Sequence, residues 1–441
     1  MKSNNTRKWL KSHHDTQFPF FPFFKKRNIS WLCDRLRKKG VEKGALYIHI
    51  PFCFGKCTFC VLTREFPSGN TLRYVNSVLD EAKKWSDYLS HVETVYVGGG
   101  TPTSLSLKEL KLLFNGLGEV FRIEKDAEIS VETTVSELTE EKMGLLAELG
   151  VNRLSLGVQT FDSGLRKLLG RRSGSKEVIE KLNEAREVFP LLTIDILYDV
   201  PGQEKGDVIA DLQKAVEIGV DGISLYPLIY SPKTAIARHF APSPVEAAMD
   251  IFRSAKLYLE DSGYKHLNIN HFSNGRDEFR YSTYFNSLGN VLGLGAGAMG
   301  FVADCYLKHK STSKKFVMRN NEAINVFNVP ENIIPALWCV SQVQYGRIDA
   351  EESKRKWGFD PLDAFAETLE KCVERGEIII RKNVIEFTTE GMFWANTIGA
   401  EMAVEYLYDG KGEIICLEDK TSKIAKGIIF NKMRSRIGRK V

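Results

Sequence analysis

Between Ala45 and Pro227 the chain alternates β-rich runs with amphipathic stretches six times, mostly at a spacing of about thirty residues. The runs are ALYIHI (45–50), TVYVGGG (94–100), EISVET (128–133), RLSLGV (153–158), TIDILY (193–198) and GISLYP (222–227). Segments such as LRYVNSVLDEAKKWSDYL and SLKELKLLFNGLGEVF carry apolar residues at helical intervals between them. Parallel neighbours need a crossover of that length, so the pattern predicts an α/β fold on a parallel sheet, a partial or complete (β/α) barrel. A doubly wound sheet is the alternative. The barrel is favoured because PFC, GGTPT, ETT, QTFD and DVPGQ follow successive strands, and a barrel gathers such segments on the rim where active sites sit.

The flanks read differently. Residues 1–44 form an arm with twelve Lys or Arg through Lys43, against Asp15, Asp34 and Glu42. Within it, QFPFFPFFKKR (17–27) is expected either to pack along the barrel or to act as a lid that lays aromatic faces on a flat anion, with Lys25, Lys26 and Arg27 pairing its carboxylates. No nucleic-acid module accompanies the arm, so no nucleic-acid partner is expected. The barrel core and its extension are assigned to 45–330, and the glycine-dense NVLGLGAGAMGF (290–301) marks a tight passage or a close approach to a ligand. From 331 to 441 two helices, a hairpin in EIIIRKNVIEFT and a helix beginning at Thr388 predict a small α+β, winged-helix-like domain with a basic tail. The absence of an apolar run of eighteen residues or a signal-like h-region predicts no membrane span and a cytoplasmic location.

Three of the eight cysteines cluster, in YIHIPFCFGKCTFC (47–60), as Cys53, Cys57 and Cys60. Three thiolates around a turn suit an iron–sulfur cluster with one iron left open. Incidental cysteines, or a zinc knuckle completed by a distant His, are the alternatives. The other cysteines are expected to be buried apolar residues.

With these motifs in order, YIHIPFC, VGGGTPT, RLSLGVQTFD, DILYDVPGQ and LGLGAGAMG, the chain resembles the radical S-adenosylmethionine (SAM) superfamily. Within it the chain resembles the oxygen-independent coproporphyrinogen III oxidase-like family, which includes heme chaperones and class C methyltransferases. The resemblance implies a [4Fe–4S] cluster held by Cys53, Cys57 and Cys60, with SAM on the fourth iron and Tyr47 beside the cluster as part of the catalytic set. It also implies SAM contacts from Phe59, Gly99, Gly100, Thr101, Glu132, Gln159, Arg171 and Asp195. Ile229 and Met299 match positions that line the adenosine and a second SAM molecule. A tetrapyrrole or other aromatic substrate and an electron donor such as flavodoxin or ferredoxin follow from the same likeness.

The chain departs from two branches of that family. The oxidases add a cysteine two residues after the third, where this sequence has Leu62. The chaperones carry an H-N-x-x-Y-W stretch and a histidine ending the later glycine motif, where this sequence has YSTYFN and GAGAMG. Elimination therefore favours methyl or alkyl transfer to an sp2 carbon. Oxidative decarboxylation and heme delivery are the alternatives.

Overall fold

The computed structural model describes residues 7–12, 17–62, 64–309, 312–319 and 324–408. The expected basic tail and Cys416 lie outside the described residues. The chain divides into two compact units, Lys26–Asn328 and Met1–Lys25 with Val329–Val441.

In the larger unit the six expected runs become β1 (Lys43–Ile50), β2 (His91–Gly99), β3 (Arg122–Thr133), β4 (Arg153–Gln159), β5 (Leu191–Tyr198) and β6 (Gly222–Pro227). All pair in parallel in chain order. Six further strands follow: β7 (Lys265–Asn268), β8 (His271–Ser273), β9 (Val291–Leu294), β10 (Met299–Val302), β11 (Cys305–His309) and β12 (Ile324–Asn328). With the short strand Lys25–Arg27 at the edge beside β12, the order across the thirteen-stranded sheet continues β12-β11-β10-β9-β1-β2-β3-β4-β5-β6-β8-β7. It is linear rather than cyclic, so the barrel is partial: β9 extends the parallel set beside β1, and β8 runs antiparallel to β6.

Alternation along the strands assigns the two faces. On β1, Leu46, Ile48 and Ile50 are fully buried beneath the helices, whereas Tyr47 on the opposite face is only half-buried. Asp195 is likewise half-buried between buried Ile194 and Ile196. The inner face curves into a lumen, because Phe279 touches both Tyr96 of β2, with ring centroids 6.0 Å apart, and His271 of β8 beyond β6, at 5.0 Å. In a flat sheet β2 and β6 would lie about 19 Å apart.

The helices are built by ordinary local rules. In α1 (Thr71–Trp85), Tyr74, Val75, Val78, Leu79, Ala82 and Trp85 form one buried stripe at helical spacing. The helix Leu107–Val120 starts at a capping box, with the Ser106 hydroxyl accepting from Glu109 N–H and the Glu109 carboxylate accepting from Ser106 N–H.

The smaller unit contains the expected hairpin, Ile378–Arg381 with Val384–Phe387, and a long helix Thr389–Leu407 capped by Thr388. A third strand, Arg347–Asp349, completes its sheet. Part of the phenylalanine arm packs within the smaller unit. Phe20 is fully buried and Phe23 packs edge-on to Tyr408, ring centroids 6.0 Å apart, so this part of the arm is core of the smaller unit. Lys25, Lys26 and Arg27 are exposed on a short strand.

Arg7 secures the same unit. Its guanidinium donates to both oxygens of Glu401, at 3.2 and 2.7 Å, and also pairs with Glu377. Both carboxylates are buried. Arg7→Ala is therefore expected to cost about 3–5 kcal/mol, because it leaves two buried anions without their main counter-charge. Denaturant unfolding of the variant checks this; a loss under about 1 kcal/mol would contradict the clamp.

Candidate functional site

The cysteine loop leaves the end of β1 and is pinned at its base, where Glu65 N–H donates to Pro51 C=O at 2.8 Å and Cys53 N–H to Glu65 C=O at 3.0 Å. Its far side is fixed by Thr58, whose N–H donates to Leu169 C=O and whose hydroxyl donates to Leu168 C=O. Phe59 packs on the buried cluster of Leu169, Leu197, Leu228 and Ile236, and Arg171 lies over its ring at 5.6 Å. Cys53, Cys57 and Cys60 are free and half-buried on this loop. Burial raises the Cys53 thiol, and the neighbouring Cys60 and Cys57 push it the same way, against the hydrogen bond to Thr101 and the charge of Arg64.

The glycine turn closes over the loop. Gly100 N–H donates to Ile50 C=O, Thr101 N–H to Phe52 C=O, and Thr101 Oγ1 lies 3.4 Å from Cys53 Sγ. Side chains have no room here: a Cβ on Gly98 would meet the Glu132 carboxyl at 2.8 Å, and one on Gly100 would meet Phe52 O at 2.7 Å. Gly99 has φ +112 and supports the imidazole of His49. Its N–H donates to Glu132 Oε2 at 3.0 Å, and the Tyr96 hydroxyl donates to the other carboxylate oxygen at 2.7 Å.

Gln159 has φ +71, and its side-chain Oε1 accepts from the Arg171 guanidinium. Arg171 Nε is buried with no hydrogen-bond partner among the described residues, leaving a donor for an anion. Tyr47 stacks on Tyr96 and on Tyr281 of α2 (Arg280–Asn286). The structure thus brings Cys53 to Thr101, Gly99 to Glu132, and Gln159 to Arg171 and Phe59. Ile229 is half-buried just beyond β6, and Met299 opens β10.

His49 of β1 is not among the site residues expected from the sequence. It lies inside the lumen, shares a 2.9 Å hydrogen bond with Tyr47 Oη through Nδ1, and separates the two glycine segments. A Cβ on Gly297 would sit 3.5 Å from His49 Nε2. Burial, aided by the charge of His309, lowers His49 to about 4, so it is neutral at pH 7. The second glycine segment is held from behind: Gly295 N–H donates to Glu81, whose other oxygen meets His309 Nε2 at 2.6 Å, and Ala296 N–H donates to Tyr74. A further buried network was equally unread: Arg153 pairs with Asp277, Asp277 with His271, and His271 with Ser224. A mixed-charge hollow lined by Lys43, His91, Arg122 and Arg280 lies at the other end of the strands.

Asp195 is pushed up to about 7, first by burial and then by the charge of Glu132. Because the folded side chain keeps its proton to higher pH than an unfolded one, near 3.9, its contribution is fully present below about pH 4 and lost as pH rises through 7. The loss is up to about 4 kcal/mol. Asp195→Asn is therefore expected to resist urea better than wild type at pH 8 without ligand, with the gap closing toward pH 4. Equal midpoints at pH 8 would contradict the assigned cost.

The donor chemistry fits an iron–sulfur cluster. Among the described residues no three Cys, His, Asp or Glu side chains crowd around a single-ion centre. One ion would draw thiolates to within about 4 Å of each other, whereas a cuboidal cluster gives each its own iron. Among the described residues no helix is long and apolar enough to cross a membrane.

The model of the radical SAM superfamily matches residues 47–256. The chain is 33% identical over 372 residues to the heme chaperone HemW of Bacillus subtilis, covering 80% of this chain and 97% of that protein. It is 27% identical over 386 residues to the oxygen-independent coproporphyrinogen III oxidase of Escherichia coli, covering 79% and 82% respectively. The solved structure of the Escherichia coli coproporphyrinogen III oxidase, HemN, superposes with a TM-score of 0.76 over 86% of this chain and 94% of that one, at 24% identity, and shares the fold.

Proposed function

Because the chain belongs to the oxygen-independent coproporphyrinogen III oxidase-like family of the radical SAM superfamily, we propose that it is an enzyme that transfers a methyl or alkyl group from a second SAM to an sp2 carbon of a tetrapyrrole. Membership implies a [4Fe–4S] cluster and SAM. Together, when bound, these supply a 5′-deoxyadenosyl radical. The observation that carries the reading is the junction of two motifs, Cys53 Sγ 3.4 Å from Thr101 Oγ1, which joins a soft-metal site to an open backbone cradle.

Each side chain then has a task suited to its chemistry. Cys53, Cys57 and Cys60 would each hold one iron. Gly99, Gly100 and Thr101 would offer backbone groups to the amino end of SAM, with Glu132 as the anion for its ammonium. Arg171, oriented by Gln159, would take the carboxylate through its spare Nε, and Asp195 the ribose hydroxyls. Phe59 and Ile229 would face the adenine. Tyr47 and His49 would wall the lumen, neutral at pH 7, and keep water from the reacting carbon. Gly297 and Met299 would receive the second SAM.

Two features favour alkyl transfer over the family's other activities. Leu62, 48% exposed, stands where the oxidases place a further cysteine, and Met299 ends the glycine segment where the chaperones have histidine. The tetrapyrrole class is supported by relatives named for coproporphyrinogen III and heme. Anaerobic incubation with SAM, reductant and a tetrapyrrole tests the reading. S-adenosylhomocysteine together with 5′-deoxyadenosine is expected. 5′-Deoxyadenosine with carbon dioxide would instead assign decarboxylation, and stoichiometric heme binding without SAM consumption would assign a carrier.

A further inference from the structure

The outer side of the cysteine loop carries large apolar side chains that the fold does not use. Phe54 and Phe66 meet edge to face at 5.5 Å, yet are 39% and 66% exposed. Leu62 on the same loop is 48% exposed. The helix α3 (Ser313–Arg319) is tied to the base of this loop, where Ser313 N–H and Oγ–H both donate to the Glu65 carboxylate, at 2.6 and 2.5 Å. Phe316 of α3 packs on Tyr74, and Tyr74 on Phe52, so helix and loop share one packed base. Met318 on α3 is 70% exposed.

Exposed basic side chains lie on the same segments. Lys56 on the loop, Arg73 on α1, and Lys314 and Lys315 on α3 are all exposed. Arg64 lies against the loop, donating to Cys57 C=O at 3.3 Å. The acid between them, Glu65, is committed to Ser313. An apolar centre with a basic rim is the composition of a transient protein interface for an acidic partner.

Its position selects the kind of partner. Cys53 N–H donates to Glu65 C=O at 3.0 Å, and Glu65 is covalently followed by Phe66. A single hydrogen bond and one residue therefore connect the exposed ring to a proposed cluster ligand.

We propose that Phe54, Leu62, Phe66 and Met318, rimmed by Lys56, Arg73, Lys314 and Lys315, form the docking surface for an acidic one-electron donor protein of the flavodoxin type. The inference rests on the proposed cluster. One electron leaves the donor's flavin and one reaches the cluster; no bond to the protein is made or broken. The contact is of the small, short-lived kind usual for electron transfer.

The test uses the full chain with its cluster reconstituted anaerobically and a purified flavodoxin as probe. Flavodoxin binding by calorimetry is expected to weaken as salt rises. Phe66→Ser, and separately Lys314→Glu with Lys315→Glu, are expected to slow flavodoxin-driven reduction of the cluster by about tenfold or more. Dithionite should reduce wild type and variants at equal rates. Normal dithionite reduction with flavodoxin rates that ignore both sets of substitutions would overturn the docking surface alone. A wild type whose loaded site dithionite cannot reduce would overturn the cluster assignment and this inference together. A defect that appears equally with dithionite, as a raised KM for the tetrapyrrole, would give the surface to the substrate and also overturn the proposal.

Discussion

Replacing any one of Cys53, Cys57 or Cys60 by Ala is expected to abolish the brown iron–sulfur absorbance and all SAM cleavage. Two thiolates on a loop pinned at Glu65 and Thr58 cannot hold a four-iron cluster. Of the remaining described cysteines, Cys305, Cys339 and Cys372 are buried. Burial pushes all three thiols up to about 12, so they remain protonated and poor metal ligands at neutral pH. Their Ala variants are expected to keep the full cluster, at a stability cost of about 1 kcal/mol each. Iron and sulfide analysis with visible spectra decides the matter. A complete cluster in any of the first three variants would show that the ligand set is wrong.

The second large effect separates the two glycine segments. At Gly99 a Cβ would lie 2.7 Å from His49 Cε1, on a backbone with φ +112. Gly99→Ala must therefore displace His49 or the glycine turn, and cleavage of SAM is expected to fall by about 10²-fold or more. Gly297 differs, because its Cβ would meet His49 at 3.5 Å, an ordinary contact, although φ is +87. Gly297→Val bears backbone strain of about 1–3 kcal/mol and fills the space assigned to the second SAM. Reductive formation of 5′-deoxyadenosine should survive in Gly297→Val, whereas S-adenosylhomocysteine formation falls sharply and SAM stoichiometry drops from two to one. Equal loss of both products would remove the distinction between the sites.

How much of this was legible in the sequence follows from the range of the interactions. The six parallel strands were readable because apolar runs and crossover lengths are local signals. β3 nonetheless starts at Arg122, six residues before the expected Glu128, since RIEKDA is polar and extends the strand where one face is exposed. β9 and β10 were read only as a glycine-rich passage, and β11 and β12 were not read at all, because four- and five-residue strands carry little periodicity. Arg347–Asp349 is a three-residue strand, recruited by pairing with Val384–Phe387. Among site residues, those inside contiguous motifs were named at once. His49 escaped because alternation along β1 says which face it takes but not that Gly99 and Gly297 come to that face. Arg153 and Asp277, which are 124 residues apart, meet only once the sheet curves. For the phenylalanine arm, composition shows that it needs burial, not which surface provides it.

The central claim is that hydrogen is taken from the methyl group of a second SAM, and isotope transfer tests it most directly. The enzyme, loaded with its cluster and reduced anaerobically, is supplied with SAM bearing a trideuterated methyl group and with an unlabelled tetrapyrrole. The 5′-deoxyadenosine should contain one deuterium, and the tetrapyrrole product should carry a one-carbon unit that retains two. 5′-Deoxyadenosine that contains no deuterium and forms together with carbon dioxide would mean that the hydrogen comes from the substrate, and would contradict the two-SAM mechanism.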